Sequence, residues 1–324
     1  MKREFLMLAQ TYTDQHIGGW FVSQKLDGIR AFWDGGISRG KPGSMVPWAN
    51  IEKDTREHIA TGLWSRHGKI IHAPDWWLDE MPSVPLDGEL YIGLQCFQDT
   101  VSAVRKIEPI DSEWDRVYYM VIDRVPLKVI FQPGLIDTVN YKKVFRENMV
   151  ENGTDIPGLP FKRSYDRMQK TIKTNDHIML VKQEQLPYHD FKPVLDKKMA
   201  GVLEIGGEGL MLRDPHSYWE PVRSKKLLKM KPFKDDEAEI VGFEDGKGRL
   251  EGLVGALVVE WDGPAGRVQF KLSGMTDAER QWGFFKARSS ENLRGDIVTF
   301  KYRELTVDGI PKEARFWRLK DSGD

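Results

Sequence analysis

The last third of the chain carries the pattern that most restricts its fold. From Ala238 onward, short apolar runs alternate with glycine-containing turns, in the order AEIVGF, DGKG, LVGALVVEW, DGPAG and RVQFKLS. A stretch with helical spacing follows at 276–286, and the runs DIVTFKY and ARFWRL come after it. Short strands separated by turn signals predict a small all-β domain in this region.

About five strands with one interposed helix, within roughly 90 residues, are typical of an OB-fold barrel, which we assign to residues 237–324. Upstream, residues 86–92 and 117–122 have the content of buried strands and 193–201 has helical spacing. We therefore predict an α+β domain with antiparallel sheets over residues 1–231. A proline and a charged cluster at 232–236 predict a hinge between the two domains.

The composition is that of an ordinary two-domain globular protein. Its 324 residues are 40% hydrophobic and 30% charged, which is enough apolar content to bury cores of ordinary size. The single cysteine, Cys96, excludes a disulfide framework and a cysteine-based zinc site, and it fits a reducing compartment. Because no apolar run reaches the length of a signal peptide or a membrane span, we expect a cytoplasmic protein.

The charge is balanced overall but not locally. With 48 basic and 49 acidic residues, the chain lacks the basic excess of many nucleic-acid binders. Residues 222–231, however, contain five basic residues and no acidic one. Since local charge decides how a phosphate backbone is attracted, this run is compatible with a basic groove, and equally with a solvated basic face.

The hexapeptide from Lys25 to Arg30, KLDGIR, is the strongest local motif. Strand-like residues on both sides predict a hairpin-type turn at Asp27-Gly28, with Lys25 at a strand end. A lysine in such a place can be partly desolvated and surrounded by other cations, and both effects free its amine as a nucleophile. From these residues alone, an ordinary turn flanked by surface charges is equally compatible.

Further elements follow the hexapeptide in order along the chain. They are Ser38-Arg39-Gly40, Asp87-Gly88-Glu89-Leu90, Val121-Ile122-Asp123, Glu208-Gly209-Leu210-Met211-Leu212-Arg213 and Leu227-Leu228-Lys229-Met230-Lys231. Together they resemble the nucleotidyltransferase superfamily of DNA ligases, RNA ligases and mRNA capping enzymes, in which the lysine takes up a nucleoside monophosphate. The finer match, through FQDT at 97–100, LLKMKPFKD at 227–235 and Phe300-Lys301-Tyr302, is to the minimal two-domain ATP-dependent DNA ligases of viruses and bacteria.

This resemblance implies a monomeric enzyme that seals nicked double-stranded DNA through an AMP group carried first on a lysine and then on the DNA 5′-phosphate. Lys25 would be the nucleophile, with Lys229 and Lys231 on the α-phosphate of ATP. A divalent metal, Mg²⁺ or Mn²⁺, would bind Glu208, and Glu89 would contact the ribose hydroxyls or share the metal. The domains would rearrange about the hinge between steps.

The resemblance also implies where the rest of the substrate binds. Asp27 and Arg30 belong to the expected nucleotide site. Arg39 is expected at the DNA 5′-phosphate because a bidentate guanidinium suits a phosphate. Ile122 stands where these ligases commonly stack an aromatic residue on adenine, so Tyr119 or an aliphatic surface would replace it. Arg318 corresponds loosely to a terminal basic motif, and residues 41–85 have no assigned counterpart.

Two alternatives remain open from the sequence. An RNA ligase or a capping guanylyltransferase would share the lysine motif, although the OB-fold pattern argues against most RNA ligases, and FQDT and LLKMKPF argue against a capping enzyme. A catalytically silent module that binds DNA nicks would share the fold, although the intact lysines and glutamates argue against it.

Overall fold

A computed structural model describes residues 6–50, 58–127, 158–281, 295–306 and 308–320. The chain divides into two compact units, Met1–Met230 and Lys231–Asp324. Within the described ranges, no helix has the length and apolarity required to span a membrane.

The described part of the first unit contains two five-stranded sheets, which are mostly antiparallel. Sheet 1 has the strand order β1-β10-β9-β2-β8, and sheet 2 the order β4-β3-β5-β6-β7; only the β1–β10 and β6–β7 pairs are parallel among these described strands. The strands of sheet 1 are β1 (Leu8–Thr11), β2 (Phe21–Gln24), β8 (Glu184–Gln185), β9 (Leu210–Arg213) and β10 (Arg223–Met230). Those of sheet 2 are β3 (Ile29–Asp34), β4 (Leu63–Ser65), β5 (Pro85–Tyr91), β6 (Tyr118–Arg124) and β7 (Ile178–Leu180).

Helices cover the outer face of each sheet. The helices described are α1 (Asp75–Asp79), α2 (Phe97–Val104), α3 (Asp111–Trp114), α4 (Phe161–Thr171) and α5 (Phe191–Glu204). Leu195 of α5 packs with Leu212 and Leu228 of sheet 1. On sheet 2, the aromatic core of Trp77 and Tyr119 packs with residues of α2 and α4. The inner faces of sheets 1 and 2, which these helices leave uncovered, therefore have to pack against each other.

The inner faces of the two sheets are joined by a second apolar cluster. Phe32 and Trp64 of sheet 2 pack in it with Met211 and Leu227 of sheet 1. Because side chains alternate along a strand, Leu228 points outward under α5 and Lys229 points to the same inner side as Leu227. Polar residues on these inner faces consequently lie between the sheets.

The second unit contains a five-stranded antiparallel sheet in the order β13-β12-β11-β14-β17. Its strands are β11 (Lys234–Asp245), β12 (Val254–Gly263), β13 (Gly266–Leu272), β14 (Ile297–Tyr302) and β17 (Arg315–Leu319), with a separate pair β15 (Glu304–Leu305) and β16 (Pro311–Lys312). A parallel bridge between Ser273 and Arg315 connects the two edges, where Phe316 N–H donates to Ser273 O at 2.8 Å. The predicted fold class, an α+β unit followed by an OB-type β unit, is confirmed.

Two local predictions, the helix at 276–286 and the hinge at 232–236, differ from the structure in their bounds. The predicted helix at 276–286 is present at 277–281, and the rest lies outside the described residues. Lys234 and Asp236 fall in the predicted hinge at 232–236, but they belong to β11 and lie opposite Tyr302 and Phe300. Their charged side chains are exposed, and a strand that faces solvent can have the same charged composition as a linker. Only residues 231–233 lie between β10 and β11.

Candidate active site

Lys25 lies where the chain leaves sheet 1 and crosses to sheet 2. Its backbone N–H donates to Gly209 O at 2.8 Å, which continues the pairing of β2 with β9. A Cβ on Gly28 would stand 2.3 Å from Leu90 O, so only glycine fits this crossing. The predicted hairpin is wrong, because β2 and β3 belong to different sheets and Asp27 lies in the connection between them.

The Lys25 side chain is paired with a carboxylate. Lys25 Nζ contacts Glu208 Oε2, and the two side chains are 23% and 17% exposed. Glu208 precedes β9 directly, so the same strand pairing that holds the Lys25 backbone also places its partner. The amine is therefore held in a defined, half-buried position at the end of sheet 1.

Sheet 2 contributes a buried arginine and two acids. Arg30 Nε and Nη2 donate to the two carboxylate oxygens of Asp87 at 2.5 and 2.7 Å, and Trp219 Nε1 also donates to Asp87, at 2.9 Å. The Asp87 side chain is 1% exposed, so the Arg30–Asp87 pair is held in place. Burial alone would lower the pKa of Arg30, but the negative charge of Asp87 outweighs this effect and raises it.

Glu89 lies opposite Arg30 on the neighbouring strand. Burial raises the pKa of Glu89 to about 7, against the lowering effect of Arg30 and Lys25, while Asp87 and Glu208 raise it further. These influences show that Glu89 of sheet 2 lies within electrostatic range of Lys25 and Glu208 at the end of sheet 1. The structure thus brings together the predicted nucleophile and both predicted metal ligands.

The other predicted cations lie on or after β10 and in the second unit. Lys229 is half-buried, lies opposite Met211, and faces the space between the sheets. Lys231 follows the strand by one residue, and its carbonyl accepts a hydrogen bond from Arg303 at 2.9 Å. Arg318 is an exposed residue of β17, opposite Thr299.

The suggestion that Tyr119 stacks on adenine is wrong. Tyr119 is fully buried on the outer face of sheet 2, where its hydroxyl donates to Leu86 O at 2.9 Å. Ile122 is partly buried and is the extra residue of a β-bulge in β6. Met120 lies opposite Glu89 and is also partly buried, so it shares the inner face with Glu89. Strand alternation within the 117–122 run would have indicated Met120.

Arg39 lies on a loop and is engaged by two acids whose pairing with it was not predicted. Ser38 Oγ and Trp64 Nε1 both donate to the buried Asp34 carboxylate, and burial raises the pKa of Asp34 to about 6. The Arg39 guanidinium then donates to Asp79 at 2.6 Å and to Asp75 at 2.7 Å, both on α1. Asp75 and Asp79 come from the segment 41–85, for which no role was expected.

The carboxylates present suit a magnesium ion that also binds substrate. In the described ranges, no group of three or more His, Cys, Asp or Glu side chains is arranged to hold a metal by itself. Mg²⁺ usually binds through one or two carboxylates together with substrate phosphates. Glu89 and Glu208 are two hard oxygen donors close to Lys25, so the donor set fits this mode of binding.

Two facing sheets with a lysine at the crossing between them, followed by an OB-type unit, define a covalent nucleotidyltransferase. Comparison with known proteins narrows this class. Residues 245–320 match the family model described as "DNA ligase OB-like domain". The DNA ligase of Haemophilus influenzae is 27% identical over 316 residues, covering 97% of this chain and 92% of that one.

Solved structures agree in fold over nearly the whole chain. One, described as "DNA binding with a minimal scaffold: Structure-function analysis of Lig E DNA ligases", is 30% identical with a TM-score of 0.55, covering 97% of this chain and 98% of that one. Another, Pmar-Lig_Pre, has a TM-score of 0.58 at 22% identity, covers 99% of this chain and 68% of that one, and supports the fold alone. The chain belongs to the DNA ligases, as its motifs predicted.

Proposed function

We propose that this ligase seals nicks in duplex DNA with ATP, and that AMP is carried on Lys25 before it passes to the 5′-phosphate of the nick. The observation that carries the proposal is the position of the Lys25 amine. It is half-buried at the crossing between the sheets, paired with Glu208 and within electrostatic range of Glu89. A surface lysine in an ordinary turn would have neither the burial nor the opposing carboxylates.

In the first step, a Lys25 Nζ–phosphorus bond forms and the bond to pyrophosphate breaks. The amine attacks with its lone pair, so it must first lose the proton that the ion pair with Glu208 favours. Glu208 Oε2 is the acceptor in contact with Lys25 Nζ and is placed to take up that proton. A Mg²⁺ ion on Glu208 and Glu89 would neutralise negative charge on the ATP phosphates.

The other inner-face residues position the nucleotide. Lys229 and Lys231 would hold the α-phosphate, and the aliphatic side chains of Met120 and Ile122 would cover the adenine. The Nη1 of Arg30 takes no part in the pair with Asp87, so Arg30 can line the ribose beside Glu89 without leaving that pair. Asp27 and Arg318 complete the proposed nucleotide contacts.

The second and third steps need the DNA. We assign Arg39 to the 5′-phosphate because a guanidinium can donate two parallel hydrogen bonds to a phosphate group. The 3′-hydroxyl then displaces AMP and closes the nick. Residues 231–233, between β10 and β11, are proposed as the hinge for changes between steps, and the enzyme is proposed to act as a monomer.

Labelling with radioactive ATP or GTP, followed by nicked DNA or nicked RNA, tests the proposal. We expect ATP to label the wild type and the control Lys182→Ala, whose side chain is 84% exposed, and Lys25→Ala to take up no label. Label retained on Lys25→Ala would refute the assignment of Lys25 as the nucleophile. Labelling by GTP, or sealing of RNA alone, would favour the capping or RNA ligase alternative, and no labelling at all would favour the silent module.

A further inference from the structure

Arg124, the last residue of β6, is a buried arginine that forms no ion pair among the described residues. Its side chain is 7% exposed. Among the residues that the structure describes, no acceptor lies within hydrogen-bonding distance of its buried Nε, and no acid forms an ion pair with it. A buried guanidinium without an anion is costly, so arginines in such positions are normally paired. The missing partner points to an anion that comes from outside the chain.

The acids nearest in sequence are already engaged elsewhere. Asp123 accepts hydrogen bonds from Ser164 Oγ at 2.7 Å and from the Arg124 backbone N–H at 2.8 Å. Asp166 of α4 pairs with Lys162 at 3.1 Å. Burial lowers the pKa of Arg124, the positive charge of Arg167 on α4 lowers it further, and the negative charge of Asp123 acts in the opposite direction. Arg124 and Arg167 are therefore close enough for their positive charges to repel, and among the described residues neither forms an ion pair with an acid.

Helix α4 extends this charge along its exposed face. Arg163, Arg167 and Lys170 are all exposed, and their spacing of i, i+4 and i+7 places them on one side of the helix. The opposite side buries Phe161 and Met168. In all, the helix carries four basic residues and one acid. Seven residues of helix span about 10 Å, which matches roughly three nucleotides along a DNA strand.

The charged surface is separate from the Lys25 site. Arg124 lies opposite Leu86 on the neighbouring strand, and Leu86 belongs to the core on the outer face of sheet 2. Cross-strand partners point to the same face, so the Arg124 side chain lies on the α4 side of the sheet. Lys25 and Glu208 lie at the other, inner side.

We propose that Arg124 and Arg167 bind a phosphodiester group of duplex DNA, and that Arg163 and Lys170 continue this contact along α4. The inference rests on the proposed function, since it takes DNA as the substrate. A backbone phosphate supplies the anion that Arg124 lacks, and a guanidinium binds it through charge-assisted hydrogen bonds. The contact involves no base, so it serves nicked and intact duplex alike.

The full chain, in wild-type form and as Arg167→Ala and Arg124→Gln, tests this with fluorescent nicked and intact duplexes between about 50 and 200 mM salt. We expect each variant to bind both duplexes about threefold to tenfold more weakly, with a salt slope lower by about one. AMP labelling should be unchanged. Lys197→Ala, an exposed lysine of α5, is the matched control and should bind like the wild type.

Arg167→Ala decides the outcome, because removing an exposed side chain should leave the fold intact even if Arg124→Gln does not fold. Wild-type affinity and salt slope in Arg167→Ala would overturn the inference. Stabilisation by inorganic phosphate that disappears in Arg167→Ala, without any change in DNA binding, would also overturn it, since the site would then take a free anion. If the wild type neither loads AMP nor seals DNA, the proposed function fails instead.

Discussion

Replacing Arg39 should separate AMP loading from AMP transfer. Arg39→Ala leaves the surroundings of Lys25 and Glu208 unchanged, so we expect normal labelling by ATP. Transfer to the nick should fall, because the variant lacks the proposed hydrogen bonds to the 5′-phosphate. Removing a charge-assisted hydrogen bond from a transition state commonly costs about 2 to 4 kcal/mol, or roughly 30-fold to 1,000-fold in rate.

The ion pairs that Arg39 already forms within the protein reduce this expected loss of transfer rate. The Arg39 donors are already engaged by Asp75 and Asp79, and a phosphate has to displace these carboxylates. The acids are 89% and 68% exposed, and such surface pairs contribute at most about 1 kcal/mol each. With about 1 kcal/mol deducted for this exchange, removing Arg39 should raise the barrier to transfer by about 1 to 3 kcal/mol, or roughly 5-fold to 150-fold in rate.

The acids provide the internal check. Asp75→Asn with Asp79→Asn should speed transfer by up to about tenfold at low salt, and by less as salt screens the pairs. In an Arg39→Ala background the same changes should have no effect, because the group that they compete for is absent. The assay is single-turnover transfer from pre-adenylylated protein, with the exposed Arg105→Ala as control.

A transfer rate for Arg39→Ala within about threefold of wild type would remove Arg39 from the 5′-phosphate site. Equal acceleration by the acid substitutions with and without Arg39 would show that they act through the general charge of the surface.

Two further predictions concern stability. The folded-state pKa of Glu89, about 7, lies above its ordinary value of 4.5. The folded protein therefore holds the Glu89 proton more tightly than the unfolded chain does. The stabilisation of the fold by this proton is fully present below about pH 4.5 and is lost as the pH rises through 7, by at most about 3 kcal/mol. Denaturation at pH 5 and pH 8 should show a weaker pH dependence in Glu89→Gln, and equal dependence in both proteins would contradict this. Gly28→Ala should lower the free energy of unfolding by about 1 to 3 kcal/mol, because the new Cβ would approach Leu90 O. Gly201→Ala, in open space on α5, should be neutral or stabilising. Similar denaturation midpoints for the two variants would argue against tight packing at the crossing between the sheets.

Residue patterns predicted many of the elements but not how they pair. The strands at 86–92 and 117–122 correspond to β5 and β6, and the helix at 193–201 lies within α5, because the residue types of each run suit the element that it forms. The wrong prediction of a hairpin at Asp27-Gly28 has a different cause. A turn signal between two strands has the same composition whether the strands pair with each other or enter different sheets, and only long-range packing distinguishes the two cases.

The partners of the site residues could not be predicted for a related reason. Arg30 and Asp87 are 57 positions apart, and Arg39 lies 36 and 40 positions from its two acids. A single sequence contains no information on such pairs. The basic residues of α4 alternate with buried ones and so form no visible run, whereas those at 222–231 are nearly contiguous and stand out in the sequence.

The pairing pattern explains how a chain with a net charge of −1 can recognise DNA selectively. Lys25 and Arg39 are both held by carboxylates of the protein itself. When a substrate phosphate replaces a carboxylate, one ion pair is exchanged for another, so little affinity is gained but the incoming group has to fit. Arg124 and Arg167, in contrast, form no ion pair with an acid among the described residues, so a phosphate that binds them adds a new interaction. Affinity for any duplex should therefore depend mainly on α4, with a shallow salt dependence, while recognition of the 5′-phosphate should depend on Arg39.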